Sequence, residues 1–201
     1  MKLRNKIINI SLFAIISIFT VSCDKTEAEF EAPNKNNVAN GNAEKIKADG
    51  TAMNVLKKAE KMAKICAEDA VVMNINGIDL DSNGNTKVGN NGSKWIISYS
   101  SSKKSPGENG YTITFSGSGY SSWLQSNAQG NLKDNIANFS IDSDKAFKTA
   151  NESGLNSSSI YSADLSKNDK GLIWTVGAKK DPKDSKYEVK KVDAISGQEI
   201  K

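Results

Sequence analysis

The chain has 201 residues, of which 25% are charged, a formal net charge of +4, and no histidine. Without imidazole there is no Ser-His-Asp machinery, no histidine-liganded zinc and no histidine pH switch. Arg4 is the only arginine, so everything after it lacks the guanidinium fork that grips phosphate or guanine, and its lysines are interleaved with carboxylates; nucleic acid is not an expected partner.

Lys2, Arg4 and Lys6 precede an apolar run from Ile7 to Val21. The run is too short to span a bilayer as a helix but fits the core of a secretory signal, with small Ser22 at the cut. Thr20-Val21-Ser22-Cys23 resembles a bacterial lipobox, with Thr20 where leucine is usual. The resemblance implies that residues 1–22 are a lipoprotein signal peptide and that Cys23 is diacylated and becomes the mature N-terminus. The chain is then anchored to the cell membrane or outer membrane, with its folded part in the cell envelope outside the cytoplasm. Losing the three basic residues of the signal takes the formal charge from +4 to about +1. Residues 23–48 are rich in Asn, Lys, Glu and Ala, hold one aromatic (Phe30) and one proline (Pro33), and show no periodicity. They are predicted to be a disordered tether.

A helix is expected next. Ala52, Val55, Leu56, Ala59, Met62, Ala63, Cys66, Ala67 and Ala70 recur at spacings of three and four, with lysines and glutamates on the other face and Asp49 or Thr51 as N-cap. Val71 to Leu80 reads as a strand whose phase slips near Gly77, as at a bulge. Trp95, Ile97 and Tyr99 alternate with polar residues in a second strand, and Tyr111, Ile113 and Phe115 do so in a third. The segment from Gly117 to Phe139, with Trp123, Leu124 and Leu132, reads as a connection holding an edge strand or short helix.

The order then recurs. Asp142 or Ser143 caps a short helix carrying Ala146, Phe147 and Ala150, closed by Gly154 with Leu155 behind it, and strands follow at Ile160 to Leu165, Leu172 to Ala178 and Tyr187 to Ala194. The predicted fold class is α+β, made of two helix-plus-antiparallel-meander units, 49–125 and 126–201, with helices packed on one face of the sheet or sheets. Trp174-Thr-Val, a polar loop and the run Tyr187-Glu-Val-Lys-Lys-Val192-Asp193-Ala194-Ile195-Ser196-Gly197-Gln198-Glu199-Ile200 resemble the last hairpin of PepSY and PepSY-like secreted bacterial domains, with Gln198 as one extra residue after the glycine. That resemblance implies a non-enzymatic binding or inhibitory role in the envelope.

Two sites invite chemistry. Asp79, Asp81 and Asn83, followed by Gly84, match the first half of a calcium loop, but Lys87 and Asn90 stand where later ligands belong, and the same residues suit a polar hairpin turn. Cys66 lies on the apolar helix stripe without a histidine partner and reads as a small core residue. No nucleophile elbow or phosphate loop is present, so no catalytic residues are named and no cofactor is expected beyond the lipid on Cys23, with calcium at Asp79 as the alternative. The expectation is a membrane-anchored lipoprotein that binds an envelope protein or peptide; the alternative is a small-ligand or calcium-binding lipoprotein.

Overall fold

The computed structural model describes residues 50–201 apart from 120, 129–131, 137, 156–159, 182 and 184. The expected signal peptide and tether, and Cys23, lie outside the described residues. Helix α1 spans Ala52–Cys66. Its stripe of Ala52, Ala59 and Ala63 with Val55 and Met62 is buried against the sheet, and the three alanines on that stripe let the helix lie close. The periodicity predicted helix as far as Ala70, but α1 stops at Cys66 and Ala67 is already extended, at φ −151°. Ala67 and Ala70 remain buried because the turn after the helix, closed by Ala70 N–H donating to Ala67 O at 2.9 Å, folds both back under it.

Strands β1 (Val71–Leu80), β2 (Lys94–Ser100), β3 (Gly110–Ser116) and β4 (Ser121–Ser126) follow as a meander. The connection after β3 thus holds the strand β4 and also a single 3-10 turn at Leu132–Asp134. Helix α2 (Ser143–Ala150) buries Ala146, Phe147 and Ala150. Its last turn closes at Gly154, at φ +113°, which tucks Leu155 into the core. Strands β5 (Ile160–Asn168), β6 (Gly171–Lys179), β7 (Glu188–Asp193) and β8 (Glu199–Ile200) complete the chain. At the extra residue Gln198 the last hairpin pairs Val192 with Glu199 and Lys191 with Ile200.

The architecture is α+β, with one eight-stranded sheet in the order β4-β3-β2-β1-β5-β6-β7-β8 and every pairing antiparallel. The two meanders meet at β1 and β5, where Ile75 faces Leu165 and Gly77 faces Ala163. The register against β5 shifts between Gly77 and Leu80, where the sequence placed a bulge. Gly77 is required there: a Cβ would stand 2.6 Å from both the Leu80 and the Trp95 side chains.

One apolar core runs through both halves. At its centre Trp95 and Trp174 meet edge to face, with ring centroids 6.2 Å apart. Each indole N–H donates to a carbonyl just ahead of a helix, Trp95 to Gly50 O at 2.8 Å and Trp174 to Ile141 O at 2.7 Å. Both tryptophans therefore satisfy their polar atom while anchoring a helix start to the sheet.

Candidate binding face

Strand periodicity decides what each side of the sheet carries. Ile75, Ile97, Ile113, Leu165, Trp174, Val176 and Val192 point to the side where α1 and α2 pack. The register places the alternate residues on the opposite side: Asn74 and Asn76, Ser98, Thr112 and Thr114, Ser162, Asp164 and Ser166, and Thr175. These side chains are half-exposed, and no described helix packs over them. The result is a broad face rich in hydroxyls and amides, on which half-buried Ile96 and buried Ile173 also lie.

Near its centre the Asn74 side-chain amide donates to Asp164 Oδ1 at 2.7 Å, tying β1 to β5 across the junction of the two meanders. Toward β7 the face gains an aromatic. Gly177 has no side chain, and the space is taken by Tyr187, whose ring carbon lies 3.2 Å from where a Cβ would stand. The Lys179 ammonium sits over the Tyr187 ring, 4.5 Å from its centroid. Tyr187 is 40% exposed and Val189 48%. The sequence placed Tyr187 at the start of a strand; its position on the face follows from the missing side chain at Gly177, a signal visible only once the two strands are in register.

The other side has its own concavity, a groove of about 370 Å³ between α1 and Ile136, Asn138 and Phe139. Leu56, Val72, Ile136 and Phe139 line it, with exposed Lys57 and Lys64 beside them. Beneath α1, burial pushes the Tyr99 phenol well above the usual tyrosine range, and the nearby Glu60 carboxylate adds to the effect.

The three residues of the calcium half-loop are drawn to different partners. Asp79, at φ +50°, receives the Lys87 ammonium at 2.5 Å and the Asn90 amide at 3.2 Å. Asp81 Oδ1 accepts the backbone N–H groups of Asn83 and Asn85 at 2.8 and 2.9 Å, the work of a turn residue. Asn83 is exposed. Among the described residues no group of three or more Asp, Glu, His or Cys is placed to hold a metal. Cys66 is in no disulfide among the described residues and is partly buried against the core.

Two other carboxylates act as local clamps. Asp69, in the turn between α1 and β1, accepts the Ser101 hydroxyl at 2.7 Å, the Ser102 hydroxyl and N–H at 2.8 Å each, and the Lys103 N–H at 3.1 Å. These donors, the Ser101 hydroxyl foremost, hold its carboxyl well below the usual carboxylate range. Asp193 is lowered in the same way by the Ser196 and Ile195 N–H groups of the last hairpin. Among the described residues no helix is long and apolar enough to cross a membrane. No protein-family model, curated protein or solved structure matches this chain.

Proposed function

We propose that this chain is a lipid-anchored lipoprotein of the cell envelope that acts without catalysis, docking a protein or peptide partner on the open face of its sheet. The observation that carries the reading is the placement of both helices on one side, with no described helix packed over the other side of the sheet. A flat surface of hydroxyls and amides with a flanking aromatic suits a protein partner better than a small molecule, which needs a concave pocket to bury most of its area. The order of helix and four strands, occurring twice, supports reading the chain as two PepSY-like units, 49–125 and 126–201. The matched Trp95 and Trp174 anchors support it further: each reaches a carbonyl two residues ahead of its own helix. The anchor is read from residues 1–23, with Cys23 as the acylated residue.

Two measurements test the proposal. Labelling of cells with a palmitate analogue should mark the native chain and leave a Cys23→Ala version unmarked; equal labelling of both, or of neither, removes the anchor. Affinity isolation from detergent-solubilised envelopes should recover a partner with the native chain. That recovery should fall at least about tenfold when Thr114→Arg and Thr175→Arg place bulky charge on the open face of each half. Equal recovery by the variant moves the docking site off this face.

A further inference from the structure

The sheet has two edges, and they are built differently. At one, β8 is two residues long and covers only part of β7. Glu188, Lys190, Lys191, Asp193, Glu199 and Lys201 crowd it with charge, including the Lys190–Glu199 ion pair at 2.9 Å. Short strands and charged side chains are the usual devices that stop an edge from pairing with another chain.

The other edge has neither device. Strand β4 runs six residues in unbroken register with β3, without a bulge, and no described strand lies on its outer side. Its sequence, Ser121-Ser122-Trp123-Leu124-Gln125-Ser126, contains no charge and no proline, and Leu124 is 65% exposed. The neutrality extends well beyond the strand: from Asn109 to Leu132 no residue is charged, in a chain that is 25% charged overall. Charge has been kept away from this edge, where the whole outer side of a six-residue strand lacks a described strand partner.

We propose that β4 is a self-association edge, and that two copies pair their β4 strands antiparallel about a two-fold axis through Leu124. This goes beyond the docking reading and does not depend on it. An axis perpendicular to the sheet keeps both helical layers on the same side. It puts Leu124 opposite Leu124 of the second copy, and Ser122 opposite Ser126 at either side, so the exposed leucines cover each other and no like charges meet. A strand of unlike sequence would not gain this symmetric register. An edge contact of six residues buries less than the roughly 1,200 Å² of a stable interface, so the dimer is weak, with a dissociation constant on the order of 10–100 μM. It joins two open faces into one continuous surface.

Opposed residues in an antiparallel pair have Cα atoms about 4.5–5.5 Å apart, within the span of a disulfide. In cells making the full chain, Leu124→Cys treated with copper-phenanthroline should therefore yield a disulfide-linked dimer. Its yield should exceed by at least about tenfold that of the unaltered chain or of Val189→Cys on the charged edge. Leu124→Lys in both of two differently tagged, co-expressed copies should cut their mutual recovery by about tenfold or more, while Val189→Lys leaves it unchanged. Equal cross-linking at 124 and 189, none at 124, or recovery indifferent to Leu124→Lys overturns the proposal.

Discussion

Ser143 shows how much one hydroxyl can organise. It is fully buried, accepts the N–H of Ala52 at 3.1 Å and donates to Gly84 O at 3.0 Å. Asp142 Oδ1 accepts from Ser143 N–H at 2.6 Å and also from Met53 N–H at 2.9 Å. Thr51, the N-cap by position, makes no side-chain cap bond. The first turn of α1 is therefore capped by residues that open α2, 91 positions away, and one pair of side chains neutralises the positive ends of both helices. Sequence reading offers Asp142 or Ser143 as the cap of the helix that follows, because capping by neighbours is local, and the structure gives that place to Asp142; the second duty lies beyond any local signal. Ser143→Ala leaves the Ala52 N–H and Gly84 C=O buried without their partner and should cost about 2–3 kcal/mol in urea unfolding. Asp142→Asn keeps a side-chain oxygen and should cost less than about 1 kcal/mol.

Among the elements, strands were the most legible, because alternation of Trp95, Ile97 and Tyr99 with polar neighbours has only one explanation on a half-buried sheet. The end of α1 was less so: Ala67 and Ala70 are buried, as helical spacing predicts, yet reach the core through a turn. The Asp69 clamp that holds this turn against the loop after β2 was not anticipated, since its donors come from residues 101–103. Its pH behaviour follows from the sign of the shift. A carboxyl lowered in the folded state contributes stability that is complete above its unfolded value, about pH 4, and is lost as pH falls from there toward the folded value. Asp69→Asn should therefore unfold at lower urea than the native chain at pH 7, and the gap should narrow steadily on titration below about pH 4. A gap that is constant with pH would show that the ionised carboxylate is not what the loop depends on.

At the scale of the whole molecule, the decisive feature is the pairing of β1 with β5, which fuses two meanders into one sheet over one core. The Trp95–Trp174 contact links the halves within the core. Two consequences are measurable. Tryptophan fluorescence and far-ultraviolet circular dichroism should report one coincident urea transition, because no boundary in the core separates the halves. A double-mutant cycle of Trp95→Phe and Trp174→Phe should show a coupling of about 0.5–1.5 kcal/mol beyond the sum of the single changes. Independent transitions, or additive substitutions, would mean that the halves fold separately.

The sequence by itself determined what depends on neighbours along the chain: α+β composition, the order of helices and strands, the apolar face of each, and the bulge beside Gly77. It limited the available side-chain chemistry as well, since a chain without histidine has no imidazole to offer wherever it folds. Only the tertiary structure decided that the sheet is continuous, that α2 caps α1, that Tyr187 fills the space over Gly177, and that the charged and uncharged edges lie at opposite ends. Each of these depends on contacts between residues far apart in sequence, and local propensity carries no information about which distant strand or hydroxyl will be the partner.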